Sequence, residues 1–144
     1  MQERFETFTV LINRISRNIR RIKNQEMAQY GLRSVHVSCL YYIYTLGNAT
    51  ATDLCERCEE DKATISRGLD YLENHGYILR DPQRYKSPLL LTDKGREAGK
   101  KIADKINGVL DAVSHGLTET ERVAFYHSLT VISDSLDAIS KGKE

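Results

Sequence analysis

The sequence is poor in the residues that interrupt or staple a chain. Only two of its 144 residues are proline, Pro82 and Pro88, and both fall within one seven-residue stretch, which leaves the rest free of the strongest helix breaker. This scarcity predicts a mostly helical molecule with one special loop. Cysteine is sparse and odd in number, at positions 39, 55 and 58, and the N-terminus carries Glu3, Arg4 and Glu6 where a secretory leader would carry a basic segment and an apolar core. A secreted disulfide scaffold is thereby excluded, and the reducing cytoplasm is the expected compartment. No apolar run exceeds Cys39 to Tyr44, and the mean hydropathy is −0.47, so no membrane span is expected. Charge of one sign is also lacking: the net charge of +1 is not that of a protein that coats nucleic acid by bulk attraction.

What is present is organised locally. Residues 1–24 carry a net charge of +4, residues 50–61 a net −4 and residues 80–105 a net +4. At this length, one compact domain spanning residues 1–144 is expected.

Hydrophobic spacing places the elements. Phe5, Phe8, Ile12, Ile15, Ile19 and Ile22 recur at intervals of 3 and 4, one apolar stripe along a helix over residues 3–24, with Arg14, Arg17, Arg20 and Arg21 off it. A second helix is predicted after Ser34 as N-cap, with Val37, Leu40, Tyr41 and Tyr44 on one face and a stop at Gly47-Asn48. Two short helices follow at 52–58 and 62–75, the latter capped by Asp61; Ile65, Leu69 and Leu72 form its inner side, and Lys62, Thr64, Ser66, Arg67 and Asp70 are left outward or sideways. Tyr77 to Arg80 and Leu89 to Leu91 read as two short strands around a basic turn, with Pro88 letting pairing begin after it. Thr92 is placed to cap a helix running to about residue 115, and Thr118-Glu119-Thr120-Glu121 has the capping-box form that opens a last one. There Phe125, Leu129, Ile132, Leu136 and Ile139 repeat the spacing of the first helix.

Helix, helix, recognition helix and two-stranded wing is the order of a winged helix-turn-helix. From Leu32 to Gly95 the chain resembles the MarR (multiple antibiotic resistance regulator) family of bacterial transcription factors. The matching runs are Thr52-Asp53-Leu54-Cys55, Lys62-Ala63-Thr64-Ile65-Ser66-Arg67, Leu72-Glu73-Asn74-His75-Gly76-Tyr77-Ile78 and Leu91-Thr92-Asp93-Lys94-Gly95, in order and at the family's spacing. The resemblance implies a mainly α winged helix-turn-helix of about six helices plus a short β-hairpin wing over roughly residues 33–99. The N- and C-terminal helices, about 1–30 and 100–144, would form a dimerisation region. Phe5, Phe8, Ile12, Ile15, Ile19, Leu129, Ile132 and Leu136 are the expected interface; packing of the two stripes within one chain is the alternative.

By the same resemblance, a homodimer lays residues 62–72 in the major groove of double-stranded DNA carrying an inverted repeat, and reaches the minor groove with the wing. Lys62, Thr64, Ser66 and Arg67 are the expected contacts on the helix, and Arg84 and Lys86 on the wing. A guanidinium can bond a guanine edge bidentately, and long cationic side chains suit a narrow minor groove or phosphates. The structural alternatives are an intrahelical pair between Arg67 and Asp70, and solvated loop charges at Arg84 and Lys86. The family's regulators commonly bind small, often phenolic, effectors, for which Arg14, Arg17, His36 and Tyr41 are candidate pocket residues, with a surface or capped histidine as the alternative for His36; a repressor is expected because no extra domain to recruit polymerase is seen in the sequence.

Cys55-Glu56-Arg57-Cys58 invites a metal or redox reading, but no second pair stands at zinc-like spacing and the histidines at 36, 75, 115 and 127 are scattered, so core packing is the expected role and neither metal nor cofactor is expected. Cys39 is a candidate sensing thiol in a redox-regulated alternative. A winged helix that contacts protein through its acidic segment is a second alternative. No nucleophile triad, paired carboxylates or Gly-rich phosphate loop occurs, so no enzyme activity is expected.

Overall fold

The computed structural model describes residues 3–58, 60–81 and 86–142. They form α1 (Glu3–Met27), a 3-10 turn (Ala28–Tyr30), α2 (Ser34–Leu46), α3 (Ala51–Cys58), α4 (Lys62–Asn74), β1 (Ile78–Leu79), β2 (Leu90–Leu91), α5 (Asp93–Ser114) and α6 (Glu119–Ser140). The six helices and two-stranded antiparallel wing are those expected of a winged helix-turn-helix. No helix among the described residues is long and apolar enough to cross a membrane. The chain divides into two compact units, residues 1–104 and 105–144.

The first unit is built around α2, which packs against α1, α3 and α4. Surrounded on several sides, α2 needs apolar groups around most of its circumference, and this is where the longest apolar run of the sequence falls. Leu40, Leu54, Leu72 and Ile78 are wholly inaccessible, and Ile65, Leu69 and Ile102 nearly so.

The helix starts predicted at Asp61, Thr92 and Thr118 are present. Asp61 Oδ1 accepts from the Thr64 N–H at 2.6 Å, and Thr118 and Glu121 exchange reciprocal bonds at 3.1 and 3.2 Å. Thr92 Oγ1 accepts from the Gly95 N–H at 3.0 Å and donates to the Gly76 carbonyl at 2.5 Å, so one hydroxyl caps α5 and anchors the end of α4. Gly95 is required here by close approach, because a Cβ in its place would collide with the Tyr77 carbonyl oxygen.

Two boundaries differ from expectation. The N-cap of α2 is Arg33, one residue before Ser34, and its backbone N–H is taken by His36 Nδ1 at 2.9 Å; a histidine at the third helical position plays the part usually filled by Glu or Gln. Ser34 instead donates its N–H to Asn24 Oδ1 at 2.7 Å, which ties α2 to α1. The strands are shorter than the apolar runs, with Ile78 opposite Leu91 and Leu79 opposite Leu90. Leu89 leaves the ladder because its N–H bonds the Ala49 carbonyl at 2.8 Å, fastening the wing to the loop before α3.

The second unit has no buried core in α6: none of that helix's residues is buried, and Val123, Leu136 and Ile139 are 62%, 51% and 66% exposed.

Candidate nucleic-acid interface

The α4 helix presents two opposed faces. Ile65, Gly68, Leu69 and Leu72 are buried against the first unit's core, and Lys62, Ser66 and Arg67 are exposed, with Thr64 half-buried beside them. At 100° per residue Arg67 lies opposite the buried stripe of 65, 69 and 72, whereas Lys62 and Ser66 flank that stripe. The Asp61 carboxyl lies below its usual range, chiefly because it accepts the Thr64 backbone N–H, with the Arg67 charge as a lesser contribution. The charge of this acidic residue is therefore directed at the helix's own N-terminal N–H groups.

Arg67 does not pair with Asp70. Its Nη2 donates to Thr64 Oγ1 at 3.4 Å, whereas Asp70 receives Arg80 Nη2 at 2.6 Å, and the same Arg80 reaches Glu73 at 2.9 Å. Arg80 thus occupies the two carboxylates of α4 and holds the Glu73 carboxyl below its ordinary range through its hydrogen bond. Sequence reasoning missed Arg80. Its partners lie seven and ten residues away across a helix end, where no helical periodicity connects them.

Lys86 is exposed at the start of the described part of the wing's return. Arg84 lies outside the described residues, as does the side chain of Phe5. Of the acidic segment, Glu56 is exposed and Glu60 half-buried.

The four residues expected to line an effector pocket lie on α1 and α2. Arg14 and Arg17 are exposed on α1; Tyr41 is half-buried and meets Tyr42 edge-on at 5.1 Å. His36 is buried, 8% exposed, and stacks on Tyr71 at 4.3 Å; Tyr71 in turn stacks on His75 at 3.9 Å. Desolvation by burial, then the nearby charges of Arg33 and His75, push the His36 pKa down, which keeps the ring neutral and Nδ1 free to accept. Tyr71 closes this stack on the other side by donating its hydroxyl to the Gly31 carbonyl at 2.8 Å. The stack fastens α4 to α2 and to the turn before it. An open hollow elsewhere in the first unit is lined by Asn24, Ala28, Gly31, Leu32 and Arg33, none of them among the expected four.

Of the cysteines, Cys39 is wholly buried and Cys55 and Cys58 are half-buried. The neighbouring Cys58, and then burial, push the Cys39 thiol up, the opposite of what a directly reacting sensor at that position requires.

Residues 30–84 match the model of the MarR family. The HTH-type transcriptional regulator BilQ of Clostridioides difficile (strain CD3) is 24% identical over 140 residues, spanning 95% of both chains. Among solved structures, the S. aureus MepR–DNA complex superposes with a TM-score of 0.79 at 21% identity, covering 90% of this chain and 97% of that one. A Listeria monocytogenes protein assigned to the MarR family, complexed with 26mer DNA, gives 0.77 at 22% identity, covering 92% and 93%. Residues 30–84 thus match the MarR family, and the chain shares the winged-helix fold of these solved structures.

Proposed function

We propose that this regulator is a sequence-specific binder of double-stranded DNA that acts in the cytoplasm as a homodimer, probing each half of an inverted repeat with α4. The observation that carries the reading is the outward face of α4. Lys62, Ser66 and Arg67 stand exposed on a helix locked by its buried stripe, and Arg80 occupies Asp70, the acidic neighbour that would compete for Arg67. Arg67 is then the base-reading residue; Lys62 and the hydroxyls of Thr64 and Ser66 serve phosphates and orientation, and Arg84 and Lys86 on the wing serve the minor groove or phosphates. The DNA complexes of MepR and the Listeria protein support the same reading.

The dimer is formed by the apolar stripes of α1 and α6, and two-fold symmetry sets the half-sites about 10 base pairs apart, centre to centre. The chain acts as a repressor by occupying its site, and a small phenolic or other small-molecule effector tunes affinity by favouring another spacing of the two recognition helices. It is a binding protein and not a catalyst.

Selection of random duplex DNA on the purified protein tests this reading: an inverted repeat should be enriched at moderate salt. Affinity for that repeat should fall steeply between about 50 and 200 mM salt, as phosphate neutralisation requires. A pool that stays random would overturn sequence-specific binding and favour the protein-contact alternative for this fold. Arg67→Ala should cost about 1–3 kcal/mol and relax preference at one base position, and unchanged preference would remove Arg67 from the site.

A further inference from the structure

The exposed basic residues divide into those with an acidic neighbour and those with none. On α5 and at the end of α6, lysines pair with a carboxylate four residues away: Lys100 with Asp104 at 3.3 Å, Lys101 with Glu97 at 3.4 Å and Lys141 with Asp137 at 3.0 Å. On α1 the arginines at 14, 17, 20 and 21 are all exposed, and among the described residues none of them makes a hydrogen bond or an ion pair. The cause is in the sequence. Every position three or four residues from one of these arginines holds Val, Leu, Asn, Ser, Gln, Lys or another Arg, so no carboxylate stands within reach along the helix. At about 100° per residue Arg17 lies opposite the apolar stripe of Phe8, Ile12, Ile15, Ile19 and Ile22, and Arg14, Arg20 and Arg21 lie within about 60° of Arg17. Like charges at these spacings repel and weaken the helix, so an anion laid along this face relieves a repulsion built into α1.

We propose that the arginine face of α1 is a second, sequence-independent contact for the phosphate backbone of double-stranded DNA, separate from the base-reading face of α4. The inference rests on the DNA-binding reading above for its choice of polyanion. A guanidinium stays charged at any physiological pH and can grip a phosphate with two parallel hydrogen bonds. From Arg14 to Arg21 the helix rises about 10 Å, the length of about three phosphate steps along one strand of a duplex. Asn18, exposed between Arg14 and Arg21, adds an amide of the kind that also bonds phosphate oxygens. Residues 9–29 contain no aromatic side chain, so this face offers unpaired bases no platform on which to stack, which favours a duplex over a single strand. A membrane surface is the rival polyanion. A helix lying in that interface sinks its apolar side towards the acyl chains and needs its cations at the margins, where long side chains reach the headgroups; Arg17 stands at the far pole instead.

The test follows binding of the full-length chain to a fluorescein-labelled duplex of mixed sequence by anisotropy, between about 50 and 200 mM salt. It compares the unaltered chain with one carrying Arg14→Gln, Arg17→Gln, Arg20→Gln and Arg21→Gln, exposed changes that keep helix propensity and remove charge. Each arginine that neutralises a phosphate adds about 0.9 to the slope of log affinity against log salt, so the slope should fall by about 2 to 4 and the low-salt affinity roughly tenfold or more. Selection of random duplexes should recover the same repeat from both chains, because backbone contacts carry no sequence information. Arg14→Lys, Arg17→Lys, Arg20→Lys and Arg21→Lys together should restore the slope, which counts charges. A slope unaltered by the four glutamines overturns the proposal. A lowered mass in sedimentation velocity, with DNA binding lost alongside it, also overturns it and gives the arginines to carboxylates of a second copy. Loss of co-sedimentation with phosphatidylserine vesicles while the DNA slope is kept overturns it in favour of a membrane. If the selected pool stays random and the slope still falls with the glutamines, the sequence-specific reading of α4 fails and the backbone contact on α1 stands.

Discussion

Residues 27–103 and residues 119–140 carry apolar side chains at similar helical spacing, yet the two stretches hold them in opposite conditions. In the first, Leu40, Leu54, Leu72 and Ile78 are sealed under α2 and the wing; in the second, α6 has no buried residue, and Leu136 and Ile139 are more than half exposed. The N-terminal half of α1 resembles α6 in this respect, with Ile12, Ile15 and Ile19 exposed at 39%, 50% and 47%. Periodicity alone thus indicates which side of a helix seeks cover and not what covers it. Where other elements of the same chain converge, the stripe becomes core; where they do not, it stays exposed. The contrast is the physical basis for assigning the dimer contact to α1 and α6.

Emptying or charging one site in each region tests this contrast most severely. Leu72→Ala should destabilise the fold by about 2–5 kcal/mol, read as a lower urea midpoint at any protein concentration, because the cavity lies inside one chain. A double Ile132→Asp, Leu136→Asp change should leave far-ultraviolet helicity of the first unit intact and halve the mass seen by sedimentation velocity. A mass unchanged from that of the parent would remove α6 from the interface.

Arg80→Ala tests the quieter part of the DNA face. Stability should change by only about 0–1 kcal/mol, since the Asp70 and Glu73 carboxylates are substantially exposed, but Asp70 becomes available to Arg67. DNA affinity should therefore fall, by less than in Arg67→Ala, and combining Arg80→Ala with Asp70→Asn should recover the loss. Failure of that recovery would mean that Arg80 contacts DNA itself.

The smallest effect expected is one of pH. His36 is held neutral in the fold with its pKa below the ordinary 6.5, so the unfolded chain binds protons first. Stability from this group is complete above about pH 6.5 and declines as pH falls from there toward the folded pKa, where Nδ1 must give up the Arg33 N–H. His36→Gln keeps an acceptor at the third helical position without titrating, and should flatten that slope in urea titrations between pH 7 and 5, a range set by histidine's ordinary titration. An unaltered slope would assign the titration to another group.

Much of this was legible from local chemistry. Asp61, Thr92 and Thr118 were readable as caps because a capping side chain bonds N–H groups two or three residues on, and the Leu-Thr-x-x-Gly run could be matched as a motif before its cause was visible. The outward place of Arg67 followed from the 3.6-residue period, which sets it opposite Ile65, Leu69 and Leu72. Ser34 misled because the acceptor that decides the start of α2 is the His36 ring, a residue type seldom read as a cap partner. The Arg80 fork and the His36–Tyr71 stack were invisible because each joins residues from different elements at separations that no helical or strand period encodes.

Local sequence was enough to set the helices, their caps, the two short strands and the faces that must be hidden, since all of these depend on residues within a turn or two of one another. Folding in three dimensions settled which charges remain available on α4 and which histidine is kept neutral. Those outcomes depend on burial and on partners brought together by the path of the chain, and a side chain's charge state and reactivity follow from the groups that surround it in space.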